Sequence, residues 1–70
     1  MISEEQARAV AEAEARQAYH DLSVYTVTAR LEGDAWYVDY ELADPLALGG
    51  GPHLVVDAFS GEVVARRYEQ

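Results

Sequence analysis

The chain has no cysteine and no lysine, and among its 70 residues only two prolines and one tryptophan. Without cysteine there is no disulfide framework, no thiolate zinc site and no cysteine nucleophile. Without lysine, the five basic residues are all arginine. They face 13 acidic residues, for a formal net charge of −8. That sign argues against nucleic acid as a direct ligand, because phosphate binding needs a basic face. It argues equally against adsorption to anionic lipid. No stretch approaches the roughly 20 apolar residues of a membrane span. The opening Met1-Ile2-Ser3-Glu4-Glu5 lacks the basic start and apolar run of a signal peptide, so the expected compartment is the cytoplasm. The length fits one domain over residues 1–70. A chain this short buries only about 60% of its unfolded-state surface. A core that thin does not favour a deep, solid-walled active site in a monomer.

What is present reads as one helix followed by four strands. Ser3 is a good N-cap, and Gln6 three residues on completes a capping box. Ile2 stands at the position that can staple onto Ala7. Glu4 and Glu5 fall in the first turn, where the helix dipole favours negative charge. From Glu4 to about His20 the chain has no Gly or Pro and is rich in good helix formers. Ala7, Val10, Ala11, Ala15 (or Glu14), Ala18 and Tyr19 follow the 3–4 spacing of a buried stripe. Alanine there is a weak hydrophobic driver, but it lets a helix approach a sheet closely. Glu4/Arg8 and Glu12/Arg16 are i,i+4 pairs in the favourable order.

After Asp21 the period changes to two. Val24–Glu32 places Tyr25, Val27, Ala29 and Leu31 on one side, and Glu32-Gly33-Asp34 is a hairpin turn. Ala35–Ala43 alternates with Trp36, Val38, Tyr40 and Leu42 inward and Tyr37, Asp39 and Glu41 outward. Leu46–Pro52 reads as a loop. His53–Ala58 is a third strand with Leu54 and Val56 in, His53 and Val55 out. Asp57 can make an Asx-type bond in the turn that follows, and Glu62–Tyr68 is the fourth strand. Short connections make this an antiparallel meander with the helix on one face, an α+β fold.

No catalytic constellation emerges, and no cofactor or metal site is expected. His53 lies in no His-x-His or His-x-x-x-His spacing and reads as a strand-end histidine at the sheet rim. Gly49-Gly50-Gly51 leads into a strand rather than a helix N-terminus, and there is no lysine to make it a phosphate loop. Ser3, Ser23 and Ser60 sit at caps and turns, outside any Gly-x-Ser-x-Gly context. Asp39, Glu41 and Asp44 cluster on or beside the second strand. They read either as a solubilising surface or, with Tyr37 among them, as an acidic recognition face. Trp36 belongs to the apolar face and reads as core. Tyr37, Asp39, Glu41, Asp44 and His53 are therefore the candidate partner-binding residues.

Two stretches carry a family likeness. One is Ile2-Ser3-Glu4-Glu5-Gln6-Ala7 with Ala9-Val10-Ala11-Glu12. The other runs Gly50-Gly51-Pro52-His53-Leu54-Val55-Val56-Asp57-Ala58-Phe59-Ser60-Gly61-Glu62-Val63-Val64, with Ala35-Trp36-Tyr37-Val38 between them. The whole resembles small bacterial toxin-immunity proteins described as nuclear-transport-factor-fold or YrhB-like. It is also similar to PepSY domains, which share the apolar-Asp-Ala-x-Thr-Gly-Glu-Val ending and a cystatin-like helix on a sheet. The resemblance implies a non-catalytic binder that blocks a cognate toxin or enzyme, and a basic one is expected from the charge. The alternatives are a PepSY-like regulatory domain that binds a protease or envelope protein, and an acidic nucleic-acid mimic. A small-ligand binder would need a cavity between helix and sheet, for which four strands and an alanine-lined helix leave little volume. Val55, with Val63 or Val64 beside it near Tyr37, also suggests a homodimer through the sheet or its edge.

Overall fold

The computed structural model describes residues 1–19, 21–43 and 50–68. Helix α1 spans Glu4–Ala15, and the strands are β1 (Tyr25–Glu32), β2 (Ala35–Leu42), β3 (Pro52–Asp57) and β4 (Val63–Tyr68). The strands form one antiparallel sheet in the order β1-β2-β3-β4. The helix packs on one face of that sheet, giving the α+β arrangement expected from the pattern. Among the described residues no helix is long and apolar enough to cross a membrane.

The start of α1 is set by side-chain chemistry. Ser3 has extended backbone and its Oγ accepts from the Gln6 N–H at 3.1 Å, while Gln6 Oε1 accepts from the Ser3 N–H at 2.8 Å. This closes the capping box and satisfies two backbone donors that a helix start leaves open. Both i,i+4 pairs form, Arg8–Glu4 at 3.0 Å and Arg16–Glu12 at 2.8 Å, on the solvent side.

The end of α1 differs from the expectation of a helix to about His20; His20 itself lies outside the described residues. The helix stops at Ala15, and residues 16–18 form a tightened turn. Gln17 N–H reaches Glu14 C=O at 3.2 Å and Ala18 N–H reaches Ala15 C=O at 3.0 Å. Tertiary packing overrides local propensity here. Tyr19 lodges edge-on against Tyr25 and tilted against Tyr68, with ring centroids 6.0 and 5.7 Å apart. Ala18 consequently turns outward and is exposed, not part of the buried stripe. Tyr25 and Tyr40, centroids 6.3 Å apart, extend the tyrosine cluster into the core. Such pairs add about 0.5–1.5 kcal/mol each beyond the area they bury.

The strand boundaries move by a residue. Val24 is exposed in the turn before β1, Ala43 lies just past β2, β3 covers Pro52–Asp57 in place of His53–Ala58, and β4 starts at Val63. In the β1–β2 hairpin Glu32 faces Ala35, so Gly33 and Asp34 are the two central residues. Only Gly33 has positive φ, at 61°, which fits a type II′ turn and the right-handed twist of its strands.

The core is Ala7, Ala11 and Ala15 of α1 against Val38 and Tyr40 of β2 and Leu54 and Val56 of β3. Full burial of Leu54, Val38 or Val56 contributes about 1.5–3 kcal/mol each. Of the residues left open on the helical stripe, Ala15 is buried. Glu14 is half-buried and pairs at 3.4 Å with Arg66, which shares the helix side of β4. Val63 pairs with core Val56 across a β-bulge, leaving Val64 exposed. At the turn end, Ile2 packs against the core cluster and its N–H donates to Ala58 C=O at 2.7 Å. Trp36 is half-buried rather than core. Its indole N–H donates to Ile2 C=O at 3.2 Å, which keeps the ring at the core margin.

Candidate partner-binding face

The helix covers one side of the sheet, and the opposite side is built by strand alternation. The outward residues of the central strands fall into cross-strand rows. One row runs Thr28, Asp39, His53, Arg67; the next runs Arg30, Tyr37, Val55, Ala65. These rows frame a shallow groove of about 300 Å³.

The structure brings Asp39 and His53 together. They are direct partners across β2 and β3, and His53 Nδ1 lies 2.7 Å from Asp39 Oδ1. A carboxylate accepts, so Nδ1–H is the donor and the ring tautomer and orientation are fixed by that bond. The other carboxylate oxygen, Oδ2, lies 3.7 Å from the Arg30 guanidinium. Arg30 also pairs with Glu32 and lies over the Tyr37 ring, 5.2 Å from its centroid, in cation–π geometry. The Glu32 carboxylate, which also accepts from Arg30, raises the guanidinium's pKa above its ordinary value.

Two expectations about this face change. The Asp39 and His53 side chains are not fully exposed: they retain only 23% and 21% of their accessible surface. Their mutual contact covers part of each, and the Arg30 guanidinium lies beside Asp39. Tyr37 does not sit among the acids. Asp39 lies between Tyr37 and Glu41 along β2, and Tyr37 keeps company with Arg30 and Val55. Glu41 is exposed on the same face, while Asp44 lies outside the described residues. The face is therefore mixed in charge: Arg30 and Arg67 interleave with Asp39, Glu41 and His53.

Arg30 and Arg67 are the members that sequence reasoning missed. Period-two alternation puts Arg30 on the outer side of β1. Placing it beside Tyr37, and Arg67 beside His53, requires the pairing register, which the sequence pattern alone does not fix. The acidic excess is also distributed differently. No ion pair engages Glu5, Asp34, Glu41 or Glu62 among the described residues. Three of these, Glu5, Asp34 and Glu62, belong to the turn end. There Ala58 N–H donates to Asp34 C=O at 2.7 Å and Ile2 N–H to Ala58 C=O, gathering the helix start and both hairpin turns.

Gly51 shows why glycine precedes β3. A Cβ there would lie 2.5 Å from Tyr40 O and 2.9 Å from the Tyr25 ring. Close approach to the tyrosine cluster, rather than loop mobility, is what the position requires. A second concavity of about 520 Å³ opens between α1 and β1, lined by Arg8, Glu12, Arg16, Leu22, Val27 and Tyr40 among others. It is an open cleft beside the helix; the space under the helix is filled by the alanine stripe. Among the described residues no three His, Cys, Asp or Glu side chains converge to hold a metal ion. No protein-family model, curated protein or solved structure matches this chain.

Proposed function

We propose that the chain is a non-catalytic protein-binding domain of the immunity or inhibitor kind, with the outer sheet face as its contact surface. One observation carries this reading. The helix covers one side of the sheet, and the opposite side presents Tyr37, Arg30, Asp39, His53 and Arg67 around a shallow groove that no other described residue covers. Tyrosine and arginine are the residues that dominate binding energy at interfaces. Here Tyr37 and Glu32 orient Arg30, and Asp39 orients His53. Pre-orientation lowers the ordering cost of association.

A basic partner fits the long-range field. The net charge is −8, and among the described residues carboxylates without an ion pair include Glu41 at the rim and Glu5, Asp34 and Glu62 at the turn end. Charges so placed accelerate encounter with a basic protein more than they tighten the final complex. Interleaved arginines favour a protein partner over mimicry of a nucleic-acid backbone, which calls for an uninterrupted row of carboxylates.

The test is affinity capture of the partner, followed by binding measurements with variants. Tyr37→Ala is expected to weaken binding about tenfold or more, mainly through faster dissociation. Glu41→Arg is expected to slow association and reduce its salt dependence. Ala13→Gln, on the solvent side of α1, should bind as wild type. Equal affinity for wild type and Tyr37→Ala would remove the outer face from the account.

A further inference from the structure

The two edges of the sheet differ. The β4 edge carries a β-bulge opposite Val55/Val56 and two adjacent arginines, Arg66 and Arg67. Bulges and edge charges are the devices that block edge-to-edge pairing. The β1 edge is eight residues long, Tyr-Thr-Val-Thr-Ala-Arg-Leu-Glu, with unbroken register against β2 and no proline.

Its free backbone groups can be identified. Val24 C=O accepts from Ala43 N–H at 3.2 Å, and Tyr25 N–H turns away from β2 to Leu22 C=O at 3.2 Å. Antiparallel pairing alternates from there. Thr26, Thr28 and Arg30 direct their amides to β2, whereas Val27, Ala29 and Leu31 direct N–H and C=O outward. Among the described residues nothing hydrogen-bonds these outward groups. The same three residues carry the helix-side row of β1, which α1 covers incompletely: Val27 and Ala29 are half-buried and Leu31 is 41% exposed.

We infer that β1 pairs with β1 of a second copy, antiparallel about a two-fold axis through Ala29, joining two four-stranded sheets into one. Self-pairing through the outward amides requires Val27, Ala29 and Leu31 to be the hydrogen-bonded positions. Centring on Ala29 engages all three: Val27 opposite Leu31, Ala29 opposite Ala29, for about six backbone bonds. It also places three apolar cross-strand pairs on the helix side, Val27 with Leu31 twice by symmetry and Ala29 with Ala29 once. On the outer side Arg30 faces Thr28 and Glu32 faces Thr26, so no like charges stand directly opposite. Centring one residue further on would set Arg30 against Arg30. The inferred contact uses an edge, so the outer face of each sheet stays open and continuous across the pair.

A strand-edge contact is at the small end of specific interfaces, so dissociation is expected on the order of 10–100 µM. Each copy carries −8, so added salt should tighten the pair. Analytical ultracentrifugation across that range, at low and high salt, reads the equilibrium directly. Thr28→Glu sets an acid opposite Arg30 twice by symmetry and should tighten the dimer on the order of tenfold. Thr28→Arg should weaken it by a similar factor. Within one copy the order reverses, because Thr28 pairs with Asp39; a change that merely followed fold stability would run the other way. On the unsubstituted protein, amide exchange at Val27, Ala29 and Leu31 should slow as concentration rises. A monomer at several times the upper concentration in high salt would overturn the inference. So would a dimer indifferent to both substitutions, or one whose protection falls on β4.

Discussion

Gly51 and Gly33 are both glycine for local reasons, but the reasons differ and so do the expected costs. Gly51→Ala drives a methyl into Tyr40 O and the Tyr25 ring, an overpacking cost of about 1–3 kcal/mol. Gly33→Ala meets no atom within 4 Å but sits at φ 61°, a backbone cost of about 1 kcal/mol. Thermal denaturation should therefore rank Gly51→Ala below Gly33→Ala and both below wild type, with about 4–8 °C per kcal/mol in a domain this size. Asp57 gives a prediction in pH. Its Oδ1 accepts from the N–H groups of Ser60 and Phe59, each at 2.8 Å, and these bonds hold its carboxyl below the ordinary value. The native carboxyl is thus more acidic than the unfolded one, near 3.9. Its contribution is complete above the unfolded value and is lost as pH falls through the lower folded value. Asp57→Asn keeps an acceptor and removes the charge, so the acid limb of the stability profile should become shallower. It should not vanish, because the Ser23 hydroxyl and, after it, the Ser23 N–H also lower Asp21. The Asx turn was legible in Asp57-Ala58-Phe59-Ser60-Gly61 because it is a local motif. The Asp39–His53 contact joins residues 14 positions apart, and no local rule brings them together.

At the scale of elements, the helix start was readable and the helix end was not, for one physical reason. Ser3 and Gln6 encode the start within a single turn. The end depends on Tyr19 meeting Tyr25 of the next strand and Tyr68 of the last, a contact that only the folded sheet assembles. Ser3→Ala is expected to cost about 1 kcal/mol, read as a lower urea midpoint with unchanged slope. The alanine stripe makes a sharper prediction. Ala7, Ala11 and Ala15 have no accessible surface and set how closely α1 lies on β2 and β3. Ala11→Leu adds apolar volume where none fits and should destabilise by about 1–3 kcal/mol. If the stripe were a loosely filled groove, the same substitution would stabilise. The strands were legible from alternation, and their inward and outward sets follow from it. The bulge that separates Val63 from Val64 was not, because two adjacent valines give alternation nothing to discriminate.

For the whole molecule, the charge of −8 acts over distances that no single contact spans. It weakens a compact domain by self-repulsion and speeds encounter with a basic protein, and both effects diminish with salt. The sequence located the unexplained acidity at Asp39, Glu41 and Asp44. The structure gives Asp39 two partners and gathers at the turn end further carboxylates that have no ion pair among the described residues, because folding brings together turns that are far apart in the chain. The central claim is that the sheet face opposite α1 binds a protein. Titrating the captured partner into isotope-labelled protein, and mapping amide shifts by NMR, tests it most directly. The account predicts shifts centred on Tyr37, Asp39, His53, Val55, Ala65 and Arg67, with Ala9 and Ala13 of α1 unmoved. Shifts centred on α1, with the outer rows of β2 and β3 unmoved, would contradict it.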